Sequence, residues 1–134
     1  MASILKVDTL TGVTTAGSIA VTGEGNSTTT NLQQGLTKQW VRFDGTSTLA
    51  VEDSFNTSSV TDNGTGDYSP NFSNSMSGEN YSPLYMSSGY HELIGNQGGT
   101  TGTTASAYKI LSRNSSNSAA DHGRVSSAVC GDLA

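Results

Sequence analysis

Short segments in the second part of the chain alternate between apolar and polar residues. In residues 39–43, Val41 and Phe43 fall on one side of an extended chain, and Trp40 and Arg42 fall on the other. A period of two is typical of β-strands that bury one face. The same alternation recurs at Tyr68, Pro70 and Phe72, at Tyr108 and Ile110, and in the final segment at Val125 and Val129.

Turn-forming residues separate these segments at short intervals. Residues 62–67, DNGTGD, contain the strongest turn signal, and Asp44-Gly45 is a good hairpin pair. Pro70 predicts an edge strand or a bulge for its segment. A sustained helical period is missing, apart from a weak turn near residues 31–37. We therefore predict an all-β domain over residues 38–134, a small antiparallel sandwich or barrel of about seven to eight strands. Its predicted core contains Val41, Phe43, Leu49, Phe55, Phe72, Ile110, Val125 and Val129.

The first 37 residues differ from the rest because they contain no aromatic residue. Their apolar residues form two short segments that are too small to make a core. We therefore interpret residues 1–37 as an extended arm for attachment or assembly, which adds strands to a neighbour or lies along one. The residues that we assign to this contact are Ile4, Leu5, Val7, Ile19 and Val21.

Composition narrows the classes of function. Ser, Thr, Gly and Asn make up 65 of the 134 residues, which disfavours helix and suits a turn-rich β protein. The net charge is −5 with six Lys and Arg in total, so no basic patch for nucleic acid is expected. No segment is apolar for the ~20 residues that span a membrane. The first ten residues lack the features of a signal peptide, so we expect none.

Candidate catalytic and metal-binding residues are sparse. His91-Glu92 begins like a zinc-protease motif, but Gly95 stands where the second histidine is required. Asp121-His122 places an acid beside a base, yet a role as surface or loop polar residues explains both histidines better. Cys130 lies in an apolar segment and is interpreted as a small core residue. Residues 62–67 could bind a cation, although a tight turn explains them without one. We expect no catalytic residue, no metal and no cofactor.

Three tyrosines are the candidate ligand-binding residues. Aromatic side chains near a loop can bind sugars or surfaces, and the alternative is that they pack in the core. These candidates are Tyr81, Tyr85 and Tyr90.

Several motifs resemble a module found in virion proteins of marine tailed phages, often at the ends of tail fibres. In that module a W-x-x-F-x-G start precedes a D-S-F-N-x-S-S-x-T-D-N-G-T-G-D-Y hairpin and a V-x-x-x-V-x-G-D ending. The opening residues 3–10, SILKVDTL, also resemble the starts of such proteins. The matching positions are Trp40, Phe43 and Gly45, then residues 53–68, then Val125, Val129, Gly131 and Asp132.

The resemblance implies a non-enzymatic structural protein on the virion surface. Because only about 37 residues precede the β domain, it implies a short knob, short fibre or decoration protein rather than a long tail fibre. The implied partners are other copies of the chain, as a trimer, and other capsid or tail proteins. The alternative function is a receptor-binding adhesin at a fibre tip that recognises host surface glycan.

Overall fold

A computed structural model describes residues 4–13, 19–22, 28–88, 92–95 and 102–134. The chain divides into two compact units, Met1–Leu36 and Thr37–Ala134.

The first unit contains one short hairpin and one helical turn. Strands β1 (Ala20–Thr22) and β2 (Thr29–Asn31) pair antiparallel, with Val21 opposite Thr30. Helix α1 (Leu32–Gly35) follows at once, where the weak helical turn was predicted. Its N-cap is Asn31, whose side-chain oxygen accepts a hydrogen bond from the Gln34 N–H at 3.1 Å. The described backbone of residues 4–13 forms no strand.

Eight strands form the described part of the second unit, which confirms the all-β prediction. They are arranged in two four-stranded antiparallel sheets, in the orders β4-β3-β10-β7 and β5-β6-β9-β8. The strands are β3 (Gln39–Asp44), β4 (Ala50–Phe55), β5 (Thr57–Gly64), β6 (Asp67–Phe72), β7 (Ser82–Ser87), β8 (Glu92–Gly95), β9 (Ile110–Arg113) and β10 (Val125–Cys130).

The inner faces of the two sheets meet in one core, so the fold is a sandwich. The Phe43 ring from β3 packs edge-on against Tyr68 from β6, with centroids 5.0 Å apart. Six of the predicted core residues are buried: Val41, Phe43, Phe72, Ile110, Val125 and Val129. Leu49 is partly buried against this core. The prediction for Phe55 was wrong, because its side chain is 53% exposed.

Buried polar side chains join the two sheets at the centre of the core. The Tyr108 hydroxyl donates a hydrogen bond to Gln39 Oε1 at 2.9 Å and shares one with Ser127 Oγ at 2.5 Å. The Gln39 side-chain nitrogen donates to Thr57 Oγ1 at 2.6 Å. Tyr108 and Gln39 are fully buried. This network connects β3 and β10 to the segment that precedes β9, and it leaves the Gln39 amide satisfied within the core.

The predicted turn at residues 62–67 is the β5–β6 hairpin. Its two-residue loop is Thr65-Gly66, and Gly66 has φ +66°. A Cβ at Gly66 would lie 2.3 Å from the Ser112 carbonyl oxygen, so glycine is required for both conformation and space. The Asp44-Gly45 pair begins a longer connection, residues 45–49, in which Asp44 accepts hydrogen bonds from the Thr46 N–H and hydroxyl.

Pro70 lies in an interior strand rather than at an edge. Strand β6 has β5 on one side and β9 on the other. Its pairing with β9 extends only over Asp67 and Tyr68, followed by an isolated bridge from Asn71 to Ala107. The Tyr108 N–H still donates to the Pro70 carbonyl oxygen at 3.2 Å, so the proline removes only the one hydrogen bond that its missing N–H would have donated.

Candidate functional site

The outer face of the β4-β3-β10-β7 sheet presents a row of apolar side chains. Trp40 on β3 is opposite Phe55 on β4 and opposite Ala128 on β10, and Ala128 is in turn opposite Leu84 on β7. Residues directly opposite each other in antiparallel strands point to the same face. Met86, two residues beyond Leu84, lies on the same side. We call Trp40, Phe55, Leu84, Met86 and Ala128 the apolar face.

The side chains of this face are exposed to an unusual degree for their size. Phe55, Leu84 and Met86 are 53%, 61% and 69% exposed. Exposed apolar residues scattered singly are ordinary, but a contiguous patch marks an interaction site. The described part of the second unit has five exposed large apolar side chains, and four of them belong to the apolar face: Trp40, Phe55, Leu84 and Met86. The fifth is Val51, which pairs with the inward-facing Phe43 at the end of the sheet.

A groove with a volume of about 380 Å³ follows β10 across the apolar face. Trp40 and Arg42 form its wall on β3, and Leu84 and Met86 form its wall on β7. Its floor is low because β10 contributes the small outward residues Ser126 and Ala128. The groove is therefore an apolar depression with a ridge on each side.

Charged side chains of both signs lie beside the apolar row. Arg42 forms an ion pair with Glu52 through its Nε atom, and Asp53 is opposite Arg42 in the strand register. A β-bulge at Arg42/Phe43 places Glu52 as the extra residue of β4, within reach of Arg42. Because the pair is more than a third exposed, it contributes little to stability.

The outer face of the opposite sheet has a different chemistry. The Asn71 side chain on β6 donates hydrogen bonds to the Ser59 and Thr61 hydroxyls on β5, each at 3.1 Å. The Asn63 side chain donates to Ser69 Oγ at 2.8 Å and to Asp67 Oδ1 at 3.2 Å. We call Ser59, Thr61, Asn63, Ser69 and Asn71 the polar face. The two outer surfaces of the sandwich thus differ sharply in polarity.

Two of the predicted ligand-binding tyrosines pack against the core. The Tyr81 hydroxyl donates hydrogen bonds to the carbonyl oxygens of Thr104 and Ala107 at 2.9 and 2.8 Å. The Tyr85 hydroxyl donates to the Lys109 carbonyl oxygen at 3.4 Å, and burial raises its pKa to about 12. Their hydroxyls are thus engaged by backbone, and a ligand-binding role stays a prediction. Tyr90 lies outside the described residues.

The predicted arm residues are mostly exposed within the first unit. Ile4 and Leu5 are 79% and 78% exposed, and Val7 and Val21 are more than half exposed. Ile19 is partly buried, and its carbonyl oxygen accepts a hydrogen bond from the Leu32 N–H at 2.8 Å. Four of the five assigned side chains are therefore largely open to solvent, and their contact with a partner stays a prediction.

The residues considered for catalysis make structural contacts. Asp121 Oδ1 accepts hydrogen bonds from the Tyr68 hydroxyl at 2.6 Å and from the Gly66 N–H at 2.7 Å. Burial, and to a smaller extent this contact with Asp121, raise the pKa of Tyr68 above its usual range.

His122 and Cys130 differ from expectation. His122 lies in the loop before β10, but it is buried rather than at the surface. Its ring contacts the Arg113 carbonyl oxygen, and its own carbonyl accepts a hydrogen bond from the Gly45 N–H. Cys130 is only partly buried, on the outer face of β10. His91 lies outside the described residues.

The turn at residues 62–67 is closed by its own hydrogen bonds. The Gly64 N–H donates to Asp62 Oδ1 at 2.9 Å, and Asn63 bridges to β6. In the described part of the chain, no three His, Cys, Asp or Glu residues are grouped closely enough to hold a metal ion. Likewise, no helix among those residues is long and apolar enough to cross a membrane.

Sequence reasoning did not identify the apolar face. The outward position of Trp40 was visible in the alternation of β3, but Phe55 was assigned to the core. Leu84 and Met86 were assigned to neither the core nor the surface. The alternation within β7 was an available signal. Leu84 and Met86 alternate with the partly buried Tyr85, so they point to the opposite, outer side of the strand. Comparison with protein-family models, with curated proteins and with solved structures found no match.

Proposed function

We propose that the chain is a non-enzymatic structural protein of a tailed-phage particle, a short surface knob, fibre or decoration protein. Residues 1–37 attach it, and residues 38–134 form the outward domain. One observation carries this proposal. The exposed large apolar side chains of the described residues fall into two groups, one in the first unit and one dominated by the apolar face. The first group is Ile4, Leu5, Val7, Leu10, Val13, Val21 and Leu36.

In its described residues, 4–13, 19–22 and 28–36, the first unit has much exposed apolar surface and few strand or helix residues. Its hairpin pairs three residues with three, and its helix is a single turn. Ordering backbone opposes folding by about 1–2 kcal/mol per residue. Full burial of a side chain such as Ile4 or Leu5 contributes about 1.5–3 kcal/mol. A partner surface that covers these side chains would therefore stabilise the ordered state, which is the behaviour of an attachment element.

The distribution of polarity supports an assembled protein. The apolar face suits contact with protein, whereas the Ser, Thr and Asn side chains of the polar face suit contact with water. The virion assignment itself is supported by the resemblance of most of residues 38–134, and of the first ten residues, to proteins of marine tailed phages. The head or tail of the particle would supply the surface to which the first unit attaches.

Deletion of residues 2–30 tests the attachment role. The truncated chain should be soluble and β-rich but should not join the particle. The measurement is the copy number of the chain per purified particle by quantitative mass spectrometry, after production of the truncated form in place of the full chain. Incorporation at the normal copy number would show that this region is not the anchor.

A point variant refines the same test. The double variant Ile4→Asp, Leu5→Asp places two charges on exposed apolar positions and leaves the hairpin unchanged. Its matched control is Thr61→Asp, which adds a charge to the polar face. The control should be incorporated normally, and the double variant should be lost from the particle. Equal incorporation of the two would contradict attachment through this segment.

The second candidate is an adhesin that recognises host surface glycan. The polar face favours it, because clustered hydroxyl and amide groups are the groups that hydrogen-bond to sugars. The test is binding of the isolated full chain to host cells, compared with the variant Asn71→Ala. Host binding that this variant abolishes, with a distal position on the particle, would favour the adhesin over the structural protein.

A further inference from the structure

We infer that the apolar face is covered by a second copy of this chain, so that the protein associates with itself through the β4-β3-β10-β7 sheet. This inference rests on the proposed function only in taking the chain to be an assembly protein. It deepens that proposal by naming the surface and its partner.

The apolar face has a shape that is complementary to itself. Leu84 and Met86 form a ridge on β7, and the groove beside it is lined by apolar and small residues. The walls on β3 and β7 are separated by two strand spacings, or roughly 10 Å. A cavity of ~150 Å³ holds a benzene molecule, so a groove of about 380 Å³ has room for side chains of Leu and Met size. The ridge of one copy therefore fits the groove of another.

The charges on the face favour the same partner. Arg42, Glu52 and Asp53 present one positive and two negative charges beside the apolar row. A surface that binds nucleic acid or anionic lipid carries clustered cations, and this face does not. A second copy brings the same mixed set, so Arg42 of one copy can meet Asp53 of the other.

The size of the face predicts a reversible contact. Each of its four strands has six residues. Strand spacing and rise give a face of about 19 Å by 20 Å, or roughly 400 Å² in projection. Exposed patches of ~300–600 Å² are often functional, while a standard interface buries ~800 Å² on each partner. The face supplies about half of that area, so we expect association that depends on concentration rather than a permanent oligomer.

Sedimentation of the full chain at increasing concentration tests the inference. Between about 1 µM and about 300 µM, the average mass should rise from one chain toward two, because a face that pairs with the same face of another copy closes as a dimer. Trp40 is the chain's one tryptophan and lies on the face, so its emission should shift to shorter wavelength over the same range. A chain that stays a monomer throughout would overturn the inference.

Charge variants identify the surface responsible. Leu84→Lys and Met86→Lys should each weaken association at least ~10-fold, because the new charge must lose its water in an apolar contact. Both side chains are more than 60% exposed, so the monomer should keep its fold, as its far-ultraviolet spectrum would show. The matched controls are Thr61→Lys on the polar face and Val13→Lys in the first unit, and both should associate like the wild type.

The outcomes separate this inference from the proposed function. Association that survives both face variants, or that Val13→Lys removes as strongly, would overturn the inference. A monomeric chain that still joins particles would overturn it too, and would leave the proposed function standing. Absence of the chain from particles, with self-association through the face intact, would overturn the proposed function alone.

Discussion

Removal of the Tyr108 hydroxyl tests whether the buried polar network stabilises the sandwich. The substitution Tyr108→Phe keeps the ring and its contacts with Phe72, Tyr81 and Tyr85. It removes the donor to Gln39 Oε1 and the partner of Ser127 Oγ. Gln39 is 0% exposed and Ser127 is 5% exposed, so water cannot replace the lost hydroxyl without a rearrangement of the core.

The expected loss follows from the two groups that are left unpaired. Each unsatisfied buried polar group destabilises a protein by about 1–3 kcal/mol, so for two groups we expect a decrease of about 2–6 kcal/mol in the free energy of unfolding. The control is Tyr85→Phe. Its hydroxyl makes one hydrogen bond of 3.4 Å and its side chain is only partly buried, so a loss below about 1 kcal/mol is expected.

Urea unfolding followed by Trp40 fluorescence measures both variants, at a concentration where the chain is a monomer. The midpoint should fall for Tyr108→Phe with an unchanged slope, since the unfolded surface is the same. A double-mutant cycle with Ser127→Ala should give a coupling of about 0.5–3 kcal/mol between the two hydroxyls. A loss below about 0.5 kcal/mol, or one equal to that of Tyr85→Phe, would refute the assigned role of the network.

Three further predictions concern the core, the hairpin and alkaline stability. Phe43→Ala should lower the free energy of unfolding by about 3–5 kcal/mol, whereas Leu84→Ala at an exposed site should change it by less than about 1 kcal/mol in the same urea assay. Gly66→Ala should lower the free energy of unfolding by at least about 2 kcal/mol, because Gly66 has a positive φ and lies close to the Ser112 carbonyl oxygen. Gly78 has open space around it, so Gly78→Ala should leave the thermal unfolding temperature nearly unchanged. Burial raises the pKa of Tyr85 to about 12 and raises those of Tyr68, Tyr81 and Tyr108 as well. Because the folded state holds these protons more tightly than the unfolded state, the free energy of unfolding is unaffected by tyrosine ionisation below the ordinary tyrosine pKa of about 10. It decreases as the pH rises from about 10 toward 12. Tyrosinate absorbance should then appear together with unfolding, and titration of most tyrosines near pH 10 in the folded chain would contradict this.

Local alternation was sufficient to predict strands and to orient most of them. In β3, the alternation of side chains predicted that Val41 and Phe43 point inward and that Trp40 and Arg42 point outward, and the structure confirms this. The Tyr108 and Ile110 pair was oriented correctly for the same reason, because burial of one face is a property that each segment carries in its own sequence.

Features that depend on register between distant strands could not be predicted in this way. Phe55 was placed in the core, yet its pairing with the outward-facing Trp40 decides its direction. The apolar face exists only because β3, β10 and β7 align Trp40, Ala128 and Leu84, which are far apart in the chain. The burial of His122 likewise depends on the distant Arg113 carbonyl and Gly45 N–H. Each of these depends on a tertiary contact, which alternation within one segment does not specify.

The central claim is that the chain is a structural protein of a phage particle that attaches through its first unit. If the proposal holds, a tailed phage encodes the chain, and the most direct measurement is cryo-electron microscopy of its purified particles with a small tag fused after Ala134. The account predicts tagged density at regular positions on the particle surface, with residues 38–134 projecting outward and residues 1–37 against the protein beneath. Purified infectious particles that lack the chain altogether would contradict it.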